Sequence, residues 1–237
     1  LLYLLGRRIF PVPIAIGAGL AAAAYGPLIY FGGELLPVTL AVFLNLLLLL
    51  VLFRAADSGP SWWFIAGLLL GLSALTVANI LLFIPFLLLW LRRWNTQDAP
   101  WRRMILLLLG CSLAIAPATL RHYLADGEMM FISHNADINF YIGNNPEYYR
   151  TIGSDRDWIE LDEVQDREAG IEGTAAKSRF FFTRTWDFIA GDPLGYLSLL
   201  GRKVYLFLHG DELSRDLDPY YARNDSTLLS LLLWKYG

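Results

Sequence analysis

One cysteine and three histidines are all that this 237-residue sequence offers as thiolate and imidazole metal ligands. Cys111 stands alone in an apolar run, which excludes a disulfide framework and a cysteine-rich metal site and leaves a small buried side chain. His122, His134 and His209 lie far apart and read as scattered surface or interfacial residues. There is no glycine-rich phosphate loop, no Ser-His-Asp signature and no His-x-x-x-His pair, so phosphate-cradling ATPases and zinc hydrolases find no support. No metal site is assigned. The sequence opens on Leu1 without a signal-peptide pattern, and an apolar run from Leu228 to Trp234 is cut short at Gly237. A crossing needs about 20 apolar residues, so the expectation is an internal piece of a longer polytopic chain.

The residues that are abundant are apolar, 56% of the total, and they come in blocks rather than alternating with polar ones. That is the pattern of a chain solvated by lipid. The formal charge of −3 conceals an asymmetry: residues 1–120 carry 7 basic and 3 acidic side chains, residues 121–226 carry 11 and 19. An acidic extramembrane region lacks the basic footprint that nucleic acid requires, and that class of partner is excluded.

Arg7 and Arg8 precede an apolar stretch from Val12 to Phe31, rich in small residues that let helices approach. After the turn Gly32-Gly33-Glu34, Leu35 to Phe53 reads as a second span with Pro37 in its first turn. Trp62 to Val77 reads as a third, its tryptophans suited to the interface. Ile80 to Leu91 is short for a crossing. Residues 62–91 are therefore read as two crossings joined by a tight, partly buried turn at Ala78-Asn79, with one long helix kinked at Pro85 as the alternative. Met104 to Leu120 makes a fifth span.

Arg92, Arg93, Arg102 and Arg103 share one short loop, which predicts a cytoplasmic position for it. Counting crossings from there places Arg7, Arg8 and Arg54 on the same side. Glu34 and the segment from Arg121 to Asp225 then fall on the outer side. Within that segment Glu128–Ser133 and Asn139–Gly143 read as short strands. Trp158, Leu161 and Val164 suggest a surface helix over residues 157–168, and a further helix is predicted from Thr174 to Ile189. Gly191-Asp192-Pro193 starts the next sharply, with Asp192 as N-cap and Pro193 at the first helical position. That helix, through Leu208, has the apolar content to lie along a bilayer surface.

The most specific local string is Asn139-Phe-Tyr-Ile-Gly-Asn-Asn-Pro146. Gly143-Asn-Asn-Pro is a good turn in its own right. Exposed amides beside Phe140 and Tyr141 would equally suit the hydroxyls and apolar face of a sugar. Glu34 is a solvated loop carboxylate or a group at the rim of an outward-facing cavity. Arg202, Lys203 and Glu212 carry a similar ambiguity, since cations at a membrane surface neutralise a lipid phosphate or simply snorkel to headgroups.

The order of five stretches resembles bacterial GT-C glycosyltransferases, family 39, the protein mannosyltransferase type. They are residues 22–36 (AAAYGPLIYFGGELL), 66–76 (AGLLLGLSALT), 132–146 (ISHNADINFYIGNNP), 192–204 (DPLGYLSLLGRKV) and 211–216 (DELSRD). The resemblance implies a polytopic enzyme that takes a sugar from a polyprenyl-phosphate carrier at the outer membrane face, inverting the anomeric centre. Its acidic general base would stand in a first outer loop, expected upstream of Leu1.

The expected architecture is an all-α polytopic membrane protein, a GT-C-like helical bundle. Transmembrane helices occupy residues 1–120, a small, mainly α extracytoplasmic domain residues 121–226, and a truncated transmembrane helix begins at 227–237. The expected function is sugar transfer from a polyprenyl-phosphate-linked donor to a glycan, lipid or protein acceptor, with membrane lipids around it. Glu34, Asn144, Lys203 and Glu212 are the candidate substrate-binding residues. No cofactor is assigned, although the chemistry leaves room for a divalent metal. A non-catalytic component of envelope polysaccharide assembly or export is the principal rival. A transporter ranks last, because the spans carry few polar residues beyond Asn45 and Asn79.

Overall fold

The structure is a computed structural model that describes residues 1–34, 36–94, 100–126, 136–148, 174–209 and 220–233. The described residues are helical and include no strand, as an all-α membrane protein requires. They fall into two compact units, Leu1–Ile132 and Ser133–Gly237.

The first unit begins with α1 (Leu2–Ile9), α2 (Val12–Ala23) and α3 (Gly26–Gly33). The stretch predicted as one span is thus broken: α2 and α3 meet at a 48° bend. Pro27, at the start of α3, offers no N–H to continue the α2 ladder, which accounts for the break. The predicted second span is α4 (Val38–Asp57), one turn longer than expected at its far end. Pro37 stands just before it rather than in its first turn.

The stretch expected as a third span forms α5 (Ser61–Thr76), followed by a 3-10 segment (Ala78–Phe83), α6 (Ile84–Trp94) and α7 (Pro100–Asp126). Trp63 near the start of α5 and Trp90 near the end of α6 lie with ring centroids 6.1 Å apart. The chain therefore folds back on itself at Val77, and the single kinked helix is excluded. The turn itself is exposed, not partly buried as expected, since Val77, Ala78 and Asn79 all face outward. Helix α7 continues past Leu120 to Asp126 and already contains Arg102 and Arg103 in its first turn.

By length and composition, α4 and residues 100–124 of α7 can cross a membrane, and the bent α2–α3 pair makes a third candidate among the described residues. Helix α5 and residues 78–92 are shorter apolar helices.

Glycine determines how the unit is joined. A Cβ at Gly67 would collide with the Leu107 carbonyl of α7, one at Gly71 would sit 2.6 Å from the Cys111 carbonyl oxygen, and one at Gly110 would strike the Phe64 carbonyl. Helices α5 and α7 thus touch backbone to backbone, the close approach that small residues permit in lipid. Leu70 and Leu107 are fully buried in the same core. On the other side of α5, Ser73 Oγ donates to Asn45 Oδ1 of α4 at 2.6 Å. The polar pair holds two helices together where lipid offers no competing partner.

In the second unit, α8 (Ala136–Gly143) overturns the strand expected over Asn139–Gly143. Aromatic and branched content suggested β structure, but Ile138 and Ile142, one helical turn apart, are both buried against Phe181. The amides after the helix secure its end. Asn144 Nδ2 donates to the Phe140 carbonyl at 2.8 Å, and Asn145 Nδ2 to those of Tyr141 and Ile142 at 2.8 and 3.1 Å. These satisfy carbonyls that a helix terminus leaves without an intrahelical partner.

Helices α9 (Thr174–Gly191) and α10 (Pro193–Leu208) form as predicted. Asp192 caps α10, its Oδ1 accepting from the Gly195 N–H at 2.9 Å. A 3-10 turn (Tyr221–Asn224) and α11 (Thr227–Leu232) complete the description. The predicted strand at 128–133 and helix at 157–168 lie outside the described residues.

Candidate functional site

Helix α10 has two unlike faces. Leu194, Leu197, Val204, Phe207 and Leu208 are exposed and recur at the spacing of one helical stripe, Phe207 most of all at 87%. Leu199 is buried and Lys203, one turn on, is half-buried. Lys203 is the only one of these inward residues with a charge, and α8 meets it with polar groups.

The Lys203 Nζ donates to Asn144 Oδ1 at 2.8 Å and lies 5.7 Å from the centroid of the Tyr148 ring. Asn144 is buried, and both ends of its amide are committed, the nitrogen to the Phe140 carbonyl and the oxygen to Lys203. Its orientation is therefore fixed from both sides. Burial of the ammonium pushes the Lys203 pKa below its ordinary value of 10.5. An ammonium has three donors, so one amide acceptor and an aromatic face leave capacity for an anion. Such an anion would offset the desolvation that lowers the pKa.

Around this pair the exposed aromatic surface is ordered. Phe140 stacks on Phe182 at 6.1 Å, and the Phe182 and Trp186 rings are parallel within 3° at 6.5 Å. Phe182 and Trp186 are both more than half exposed, while Phe181 beside them is core. Tyr141, expected as a sugar-facing ring, instead packs half-buried against Phe181.

Of the four candidate residues, the structure brings Asn144 and Lys203 together. Glu34 belongs to the first unit, half-buried at the C-terminal end of α3 in the turn toward α4. Glu212 lies outside the described residues. Tyr148 was not anticipated from the sequence: nothing local marks a tyrosine that meets a lysine on another helix. No group of three or more histidine, cysteine or acidic residues with metal-binding geometry occurs among the described residues.

A family model described as dolichyl-phosphate-mannose-protein mannosyltransferase matches residues 1–116. Over these residues the chain is similar to that family. The match covers α1 to α6 and most of α7, the helices joined through Gly67, Gly71 and Gly110, and it bears out the resemblance drawn from residues 22–36 and 66–76. The similarity, to a family of membrane glycosyltransferases, spans just under half of the chain. The Asn144–Lys203 pair lies beyond the matched residues. No curated protein and no solved structure shows significant similarity to the chain.

Proposed function

We propose that the chain is part of a glycosyltransferase that moves a sugar from a polyprenyl-phosphate carrier to a glycan, lipid or protein acceptor at the outer face of the membrane. The observation that carries this reading beyond the family match is Lys203. A partly desolvated ammonium, held by Asn144 and Tyr148 on a helix whose opposite face is bare leucine, valine and phenylalanine, suits a ligand whose head is phosphate and whose tail is lipid.

In this reading α10 rests its apolar stripe in the interface, which brings Lys203 to headgroup depth. Lys203 binds the carrier phosphate, whose charge grows as the glycosidic bond to phosphate breaks, so the ammonium stabilises the leaving group. Asn144 positions Lys203 and does not itself reach the sugar, because both ends of its amide are occupied. The exposed rings of Phe182 and Trp186 offer an apolar platform to a sugar or acceptor face. Glu34 and Glu212 are further substrate contacts in this reading. The acidic general base is a carboxylate of a first outer loop, as in the family the chain resembles. Five crossings, with α5 and residues 78–92 as a hairpin across the bilayer, give the required sidedness.

Membranes containing the full protein, incubated with a radiolabelled polyprenyl-phosphate sugar or the matching nucleotide sugar, test the reading. Label should reach an acceptor from the lipid-linked donor alone. Direct use of the nucleotide sugar, or no transfer from any common lipid-linked donor, would contradict it.

A further inference from the structure

At the end of the first unit where the arginines gather, a cavity of about 460 Å³ opens between α4, α5, α6 and α7. Its walls include Asp57, Trp63, Trp90 and Arg103. Trp63 is 1% exposed, yet its indole Nε1–H has no hydrogen-bond partner among the described residues. A buried N–H without an acceptor costs on the order of 1–3 kcal/mol, so a small shift of this wall that lets a group in the cavity accept from it is favoured. The Arg103 guanidinium stands 5.9 Å from the Trp63 ring centroid and supplies positive charge to the same wall. Asp57 is already bound by Arg8, Nη1 to Oδ2 at 3.1 Å, which offsets the negative charge nearest the cavity. Arg54 lies over Trp62 at 5.6 Å on the adjoining surface.

A second cavity, about 310 Å³, shares Phe53 and Trp90 with the first and is otherwise walled by Leu49, Leu52, Phe83, Phe86 and Leu87. Every one of these side chains is apolar or aromatic. From Asp57 back to Leu49 helix α4 covers about 12 Å at 1.5 Å per residue, close to the depth of one hydrocarbon leaflet, about 15 Å. A chamber whose wall carries an unsatisfied indole donor and an arginine thus adjoins a lipophilic one of acyl-chain reach.

We infer that these two cavities form a binding site for a membrane phospholipid. Its phosphodiester would accept from Trp63 Nε1–H and Arg103, and one acyl chain would lie along Leu49, Leu52, Phe86 and Leu87. Basic pockets between membrane helices bind headgroups in this way. The site lies wholly within the first unit, shares no residue with the Asn144–Lys203 pair, and does not depend on the transfer reaction.

The full protein, purified in mild detergent, is titrated separately with dioleoyl phosphatidylglycerol, dioleoylglycerol and inorganic phosphate, and retained ligand is counted by native mass spectrometry. Phosphatidylglycerol should be retained at one copy, with dioleoylglycerol and phosphate bound far more weakly. Trp63→Phe, which removes the N–H but keeps a ring, should weaken retention roughly five- to tenfold, the effect of one hydrogen bond. Arg103→Gln should weaken it at least as much. Equal retention of dioleoylglycerol, or no change in Trp63→Phe, would reduce the site to unspecific annular lipid and overturn the proposal. Equal binding of inorganic phosphate would make it a simple anion site and also overturn it. If either variant loses its helical circular dichroism, the comparison of the three ligands on the unaltered protein decides the matter.

Discussion

Lys203 on α10 and Asn144 at the end of α8, 59 residues apart in sequence, are joined by a 2.8 Å hydrogen bond from ammonium to amide oxygen. Because Asn144 is anchored in turn to the Phe140 carbonyl, the position of the charge is set by the backbone of another helix. Replacing Asn144 by alanine should leave both helices in place but release the ammonium. Hydrogen bonds to charged groups contribute about 1.5–3 kcal/mol, so donor KM should rise roughly tenfold or more, with a smaller change in kcat. Asn144→Asp should instead raise the Lys203 pKa by placing an opposite charge against it. Differential labelling of amines across a pH series, read by peptide mass spectrometry, checks both variants.

The pH dependence of Lys203 has a definite sign. Burial holds its folded pKa below the ordinary 10.5, so the unfolded chain binds more protons in the window between the folded value and 10.5. Stability therefore rises with pH across that window, and the cost of the buried charge is fully present below it. Lys203→Met removes that cost. Thermal unfolding of the two proteins should converge as pH climbs toward 10.5 and separate, with the methionine form favoured, near neutrality. A separation that widens with alkalinity would show that the charge is not disfavoured by burial.

The contact of α5 with α7 should be intolerant of a single methyl group. Gly67→Ala drives a Cβ into the Leu107 carbonyl, backbone that cannot turn aside. Overpacking of this kind costs about 1–3 kcal/mol, and the upper end is expected here. Gly17→Ala, in α2 with open space around it, should change stability by about 0.5 kcal/mol or less. Unfolding in mild detergent monitored by circular dichroism separates the two.

The apolar blocks made α4 and α7 legible as helices able to cross a membrane, because lipid demands long runs and both carry them, whereas the Val12–Phe31 run divides at Pro27. The Asp192 cap and helix α10 were equally plain, since Asp-Pro specifies a helix start through local chemistry alone. The sequence misled at Asn139–Gly143, where composition suggested a strand. The stronger signal was the four-residue spacing of Ile138 and Ile142, which only a helix buries on one side. Small residues were read as a packing signal at Val12–Phe31, whereas the close approach falls at Gly67, Gly71 and Gly110, because it depends on how α5 meets α7. Asn144 and Lys203 were each visible as polar groups in apolar surroundings. Their pairing was not, because it depends on how α8 and α10 pack, and the same holds for Tyr148.

The role given to Lys203 is tested most directly by donor saturation in a transfer assay with a polyprenyl-phosphate sugar, comparing the unaltered protein with Lys203→Met and Lys203→Arg. If the ammonium meets the carrier phosphate, Lys203→Met should lower kcat/KM by roughly ten- to a hundredfold, the range of a charge-assisted hydrogen bond, and Lys203→Arg should recover part of it. Transfer at an unchanged kcat/KM in Lys203→Met, with the helical content intact, would contradict the account.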